Sequence, residues 1–481
     1  MTDKPPRATA VEIVRHLQSA GFSAFWVGGC VRDFLLGREP GDYDIATSAR
    51  PEEIEKLFKR TVAVGKKFGV MVVLEGGHQF QVATYRAEAD YRDGRHPEQV
   101  TFADARADAL RRDFTVNGLF YDPVTEKIHD WVGGEKDLRA KIIRTIGVPE
   151  ERFAEDHLRL LRAVRFAAQL GFEIEPQTLA AVRSLASKIE LISAERIRDE
   201  LIKLFSPPIL GAPASRRRVL TPEMPQNAGG TSALPGAARG LVLLLKSGLL
   251  PGVLPEVIAT LACEQSPDFH PEGTVFEHIR LMLEKMATGP PPPRSGFGEA
   301  SAHPSLPWAV ILHDIAKPAT AELDPATGKI HFYGHEKVGA ALAERILTRL
   351  RFPRKQIEEI VACVRQHMQF KDVKQMRKAT LRRLLLRKTF PLELELHRLD
   401  CLGSHGDLGH YEFLVEQAAE LEKKPAIRPP LLTGDDLIAL GVKPGPALGA
   451  LLAEIREKQL QDELKTPRQA KAWVKKRLTH G

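Results

Sequence analysis

Cysteine is scarce in this chain: among 481 residues only Cys30, Cys263, Cys363 and Cys401 carry a thiol, each standing alone and none in a CxxC spacing. That excludes a disulfide framework and a zinc-thiolate site as organising features, and makes a reducing cytoplasm the expected compartment. Long apolar runs are missing as well. The opening MTDKPPRATAVEIV lacks the apolar core of a signal peptide, and the longest apolar stretch, GLVLLLKSGLLPGVLPEVI, is broken by Lys246, Gly248, Pro251 and Pro255. A soluble protein with no membrane partner is expected. Neither an internal repeat nor a heptad array is visible, so solenoid and coiled-coil architectures are not indicated.

What is present suffices for several cores. A chain of 481 residues with 43% hydrophobic content points to two to four domains. The 69 basic residues exceed the 62 acidic ones, a net charge of +7 that fits a polyanionic partner without requiring one. Apolar periodicity predicts an amphipathic helix from Val11 to Ala20, a strand and Gly-Gly turn in SAFWVGGCVRD, and a hairpin in VMVVLEGGHQFQVATYR turning at Glu75-Gly76-Gly77-His78. Beyond Pro149 nearly every periodic segment reads as helix. The expected organisation is an α/β head over 1–140, an all-α neck over 141–205, an insertion with linker helices over 206–265, a helical domain over 266–405 and a helical tail over 406–481. Two stretches rich in Pro, Gly, Ser and Ala, from Ser206 to Gly240 and from Thr288 to Pro307, have little to pack and read as loops or insertions.

The stretch GDYDIATSARP sets Asp42 and Asp44 one residue apart. On a strand, residues i and i+2 share a face, so the two carboxylates would repel each other unless a cation sat between them; a solvated Asp- and Gly-rich turn is the other reading. Upstream, GGCVRD supplies Gly28 and Gly29, whose backbone can approach a phosphate at a helix start, and the cation of Arg32. Downstream, RRDFTVNGLFYDP carries Arg111, Arg112, Asp113 and Asn117. The arginines suit a triphosphate and the amide suits sugar or base, although a basic helix start with a surface ion pair reads the same way.

These motifs resemble the class II tRNA nucleotidyltransferase and bacterial poly(A) polymerase family. GGCVRD and DYDIAT resemble its metal motif, RRDFTVNGLF its second motif, and DPVTEKIHDWVGGEKDLRAKIIRTIG its link from head to neck. The resemblance implies a polymerase-β-like nucleotidyltransferase head in which Asp42 and Asp44 are catalytic and hold two Mg²⁺ ions, one activating an RNA 3′-hydroxyl and the other steadying pyrophosphate. One departure stands out: where family members often carry a third carboxylate, QFQVATYR has Gln81.

EDHLRLLRAVRF spaces Asp156, Arg159 and Arg162 three apart, close to one helical face. This is either an ion-pair ladder on a solvated helix or a pairing edge, in which the carboxylate accepts from the amine of C or A and the guanidinium donates to the ring. The segment resembles the family's EDxxR motif, which implies selection of CTP and then ATP without a nucleic-acid template. In ERIRDELIKLF, Glu195 and Arg196 are expected to brace that helix rather than touch substrate. YRAEADYRDGRHPEQVTF, with Asp93, Gly94, Arg95, His96 and Pro97, resembles the family's mobile loop and leans toward addition of the terminal A.

His278, His313, Asp314, His335, His367 and Asp400 follow one another along helical segments in the order H, HD, H, H, D. They resemble the HD phosphohydrolase superfamily, which implies a divalent metal site (Mg²⁺, Mn²⁺ or Ni²⁺) for phosphate-ester hydrolysis; a degenerate domain serving as an RNA-binding body is the alternative. Arg377, Lys378, Arg382 and Arg383 lie in a dense basic run and, given an RNA substrate, are expected to contact phosphates of the tRNA elbow. The function implied is a CCA-adding enzyme acting on tRNA 3′ ends with CTP and ATP, with an added HD-domain phosphohydrolase activity. A poly(A) polymerase and a catalytically inactive RNA-binding protein are the rivals, and the oligomeric state stays open.

Overall fold

The computed structural model describes residues 4–65, 68–87, 102–206, 236–288, 300–423 and 430–478. The chain divides into two compact units, residues 1–258 with 349–351, and residues 259–348 with 352–481. The division falls inside the segment read as linker.

The first unit opens with a helix, Pro6–Ser19, that starts a turn earlier than its apolar pattern suggests because Pro6 is tolerated at the first helical position. A seven-stranded sheet follows: β1 Ala24–Val27, β2 Ile45–Thr47, β3 Thr61–Gly65, β4 Val70–Glu75, β5 His78–Thr84, β6 Phe120–Asp122 and β7 Lys127–His129, in spatial order β3-β4-β5-β2-β1-β6-β7. Within this sheet, among the described residues, only β2 and β5 pair in parallel. The expected hairpin is β4–β5, in register from Val70↔Ala83 to Glu75↔His78, and Gly76 and Gly77 take φ of 57° and 83°, as a two-residue turn between twisted strands requires. Val27, Ala46, Tyr85, Ala109 and Phe120 form one core cluster of this sheet.

Helices Leu158–Leu170, Ala194–Phe205 and Gly236–Lys246 pack together beyond the sheet. The last of these begins inside the stretch read as an insertion. Gly240 sits so close to Leu204 that a Cβ there would fall 2.7 Å from its Cδ1, so small residues at this position build a packed helix rather than a loop. Residues 207–235 of that stretch lie outside the described residues. So do 289–299 of the second one, whose last residues start the helix Leu306–Leu312. The first unit therefore carries a polymerase-β-like head with a helical neck, and the described residues of the second are helical in their regular elements apart from the hairpin Ala321–Leu323 and Ile330–Phe332. Among the described residues no helix is long and apolar enough to cross a membrane.

Candidate active site and metal centre

Gly28, with φ of 74°, caps the helix Gly29–Leu35 directly after β1, and its missing Cβ matters: one built there would lie 3.0 Å from Nη1 of Arg112. Asp42 and Asp44 stand just before β2 rather than on it, a correction to the strand placement, because only Ile45–Thr47 completes the ladder with β1 and β5. The pairing nonetheless reaches Asp44 through its carbonyl, which accepts from Val27 N at 3.0 Å and ties the acidic pair to the glycine turn. Both carboxylates line one cleft of about 530 Å³ together with Gly28, Gly29, Arg32, Arg111, Arg112, Asp113, Asn117, Asp156, Arg159 and Arg162. These are the head and neck residues that the sequence motifs assigned to nucleotide or to Mg²⁺.

Among the described residues no side chain donates a hydrogen bond to the carboxylate of Asp42 or Asp44; the Cys30 thiol donates only to the Asp44 carbonyl. Burial first, and then the charge of Asp42, pushes the Asp44 carboxyl up to about 6. A pair of unneutralised carboxylates in this condition suits a divalent cation. Gln81 precedes Val82, the register partner of Ile45, as Asp44 precedes Ile45, and has no charge to add.

The cations of the cleft are already braced. Arg32 donates from Nη1 to Oδ1 of Asn117 at 2.7 Å, and Asn117 donates to Asp113 at 3.2 Å. Arg162 donates twice to Oδ2 of Asp113, at 2.9 and 2.6 Å. Burial alone would raise the Asp113 carboxyl, but Arg162 holds it below its ordinary value. Asp113 and Arg162 thus join head to neck while both line the cleft. Arg111 and Arg112 share Asp108, which is 1% exposed, and they outweigh its burial to keep it ionised. Asp156 is not on the face of a helix either. It lies in the break between Pro149–Glu155 and Leu158–Leu170, its Oδ1 accepting from Leu158 N at 3.0 Å and its Oδ2 from Arg196 at 2.7 Å. Arg196 braces as expected; Glu195 is exposed. Arg159 is held by the Arg152 carbonyl at 2.9 Å and by the Glu155 carboxylate.

Asp108, Glu200, Arg165, Phe166 and Lys203 escaped the motif reading. Asp108 had a local signal, standing three and four residues before the two arginines. Glu200, which binds Arg165 at 2.6 Å, and Phe166, with Arg32, Arg162 and Arg165 over its ring at 5.3, 5.2 and 4.0 Å, had none. Among the described residues seven cations face four carboxylates around the cleft, so it favours an anion the size of a triphosphate. Asp93 to Pro97 fall outside the described residues.

In the second unit the six HD residues come together from five segments. His278 belongs to Val275–Thr288, His313 and Asp314 end Leu306–Leu312, His335 opens a helix, His367 ends Arg354–Gln366 and Asp400 lies on Phe390–Gly403. His278, His313 and Asp400 form one group whose ligand atoms lie within 4.8 Å of one another, and Asp314, His335 and His367 form another. Nδ1 of His313, His335 and His367 faces a backbone carbonyl at 2.9, 2.7 and 2.7 Å. A carbonyl only accepts, so the proton belongs on Nδ1 and each Nε2 keeps its lone pair for the cluster. Nε2 of His278 and of His313 and Oδ1 of Asp314 are buried without a well-formed hydrogen bond, and this donor set fits divalent metal. Lys317, also missed from the sequence, binds Oδ2 of Asp314 at 2.7 Å.

The basic run in this unit is less bare than its composition suggests. Lys378 and Arg382 pair with Asp462, and Arg383 pairs with Glu457 at 2.7 Å. These cations tie Lys378–Leu385 to the end of Pro446–Leu460. Arg377 is exposed and makes no ion pair among the described residues.

Residues 24–144 match the poly A polymerase head domain, 171–208 the segment described as "Probable RNA and SrmB- binding site of polymerase A", and 297–402 the HD domain. His278 precedes that last match. The chain is 45% identical over 204 residues to the CCA-adding enzyme of Staphylococcus aureus (strain MRSA252), covering 42% of this chain and 51% of that one. It is 44% identical over 236 residues to the CCA-adding enzyme of Geobacillus stearothermophilus, covering 49% and 56%. The chain thus spans about half the length of the curated relatives it matches. The Bacillus stearothermophilus CCA-adding enzyme in complex with CTP superposes with a TM-score of 0.67 at 25% identity, over 99% of this chain and 98% of that one. The Thermotoga maritima CCA-adding enzyme complexed with tRNA shares the fold, with a TM-score of 0.56 at 19% identity over 99% and 97%. The three matches follow one another along the chain in that order.

Proposed function

We propose that this chain is a CCA-adding tRNA nucleotidyltransferase, extending tRNA 3′ ends from CTP and ATP with release of pyrophosphate, and that its second unit is a metal-dependent phosphohydrolase. The first reading is carried by one observation: the glycine turn, the acidic pair, the arginine motif and the neck motif line a single cationic cleft. The RNA 3′-oxygen forms a bond to the α-phosphorus of the nucleotide as the bond to the β-phosphate oxygen breaks and pyrophosphate leaves. Arg111 and Arg112, anchored on Asp108, offer fixed charge to the triphosphate. Mg²⁺ held by Asp42 and Asp44 would supply activation of the 3′-hydroxyl and neutralise the leaving group. Asp156 and Arg159 accept C and A by the amine that G and U lack at that edge, and their bracing keeps the edge in place between additions. Relatives named for CCA addition, and neighbours bound to CTP and to tRNA, support this substrate class. A cytoplasmic enzyme with Arg377 and the neighbouring basic residues toward the tRNA elbow is part of the same reading.

The test is a tRNA transcript lacking CCA, incubated with each nucleotide separately and then together. Two C from CTP and one A only after them is the expected outcome. A long tail from ATP alone, with CTP unused, would replace this reading by that of a poly(A) polymerase. For the second unit, hydrolysis of a 2′,3′-cyclic nucleotide should be lost in His313→Ala. Equal rates in both proteins would remove the hydrolase.

A further inference from the structure

We propose that Glu272 is a positioning residue that makes the two metal positions of the second unit unequal, so that the position of His278, His313 and Asp400 fills before that of Asp314, His335 and His367. The inference rests on reading this cluster as a divalent metal site. His278 is the exception among the four histidines. Three of them present Nδ1 to a neutral backbone carbonyl, but His278, which is 0% exposed, presents it to Oε1 of Glu272 at 2.6 Å. A carboxylate behind an imidazole fixes its ring and tautomer more firmly than a carbonyl does, and makes the opposite nitrogen a stronger donor.

Glu272 is built for this. Its side chain is 5% exposed, the same oxygen is held by His270 at 2.8 Å, and its Oε2 is buried with no hydrogen-bond partner among the described residues. A buried carboxylate left half-satisfied is costly unless positive charge lies near, and a cation beyond His278 supplies it. The other position has no carboxylate behind its histidines, since His335 and His367 both present Nδ1 to backbone carbonyls. Its carboxylate, Asp314, spends Oδ2 on Lys317 at 2.7 Å, but that same oxygen lies 3.1 Å from Nε2 of His313, so the ammonium stands near both positions and does not tell them apart. Thus one position combines Asp400 with the backing of Glu272, whereas the other has Asp314 and two carbonyl-backed histidines.

Mn²⁺ titration of chelator-stripped full-length protein, followed by calorimetry and electron paramagnetic resonance, tests this. In the wild type, one equivalent should give the signal of isolated ions, with spin-coupled pairs appearing only as the second binds. Glu272→Gln, checked for folding by circular dichroism, should weaken the tighter class about 10–100-fold and leave the weaker class within about twofold. Should that variant unfold, the wild-type spectra decide: coupled pairs at substoichiometric Mn²⁺ overturn the proposal. Unchanged affinities in a folded Glu272→Gln also overturn it, while the metal reading survives. A wild type that binds no Mn²⁺ removes both.

Discussion

Arg196 donates to Oδ2 of Asp156 at 2.7 Å across forty positions of sequence, while the other oxygen of Asp156 caps the following helix through Leu158 N. Each oxygen retains a lone pair, so Asp156 can accept from a base while held. Removing the brace should loosen that acceptor. Arg196→Ala is expected to raise incorporation of U or G relative to C about 10–100-fold, as loss of a hydrogen bond to a charged group of about 1.5–3 kcal/mol implies. Single-nucleotide incorporation kinetics measure it, and unchanged discrimination would assign Arg196 to stability alone.

Gln81 and Asp44 each stand one residue before the first register pair of β5 and β2, Val82 and Ile45. Without charge it contributes little to a cation there. Gln81→Ala should keep the incorporation rate within about threefold, and Gln81→Glu should lower the Mg²⁺ concentration giving half-maximal rate by adding a third carboxylate. A collapse of activity in Gln81→Ala would make the amide a ligand.

Asp113 and Asp108 are held below their ordinary value, in each case by arginines that overcome burial. A depressed folded value means that the stabilisation is present above the unfolded value, about 4, and is lost as pH falls through the folded one. Asp113→Asn should destabilise the first unit by about 3–5 kcal/mol at neutral pH, as for a broken buried pair, with the difference shrinking below about pH 4. Hydrogen exchange in peptides spanning 105–170 reports on it. A difference independent of pH would mean that the pair is not ionised.

All four cysteines are buried. Burial, and then Asp44, pushes Cys30 up to about 12, and burial followed by Asp400 does the same for Cys401. Burial likewise raises Cys263 and Cys363. At pH 8 a thiol titrating near 12 is about one part in 10⁴ thiolate, so iodoacetamide should leave the native protein unlabelled and modify four cysteines in urea. Rapid alkylation of Cys30 in the native state would mean that the glycine turn opens.

The residues of the cleft were legible because each motif is a short run whose chemistry depends on residue type at local spacing. Two glycines after a strand, two aspartates one residue apart, and adjacent arginines can each be read without knowing what lies opposite. The break at Asp156 was partly legible: helical periodicity runs through EDHLRLLRAVRF and hides it, yet an aspartate two residues before a helix start is a common cap. Six dispersed residues in the order H, HD, H, H, D could be gathered through their resemblance to the HD superfamily.

Partners were not legible, since a charge reads the same whether paired or bare. Asp113 reads as a free carboxylate until Arg162 meets it from 49 residues away. Lys378, Arg382 and Arg383 read as bare cations until Asp462 and Glu457 answer them. Glu272 had no motif to belong to. The sequence by itself determined which chemical groups this protein has and in which local arrangements, because bond geometry and residue type act over a few positions. Only the tertiary structure decided which of those groups are held, which remain available to ligand and which stand behind them, because such pairings are made by packing between segments far apart in the chain.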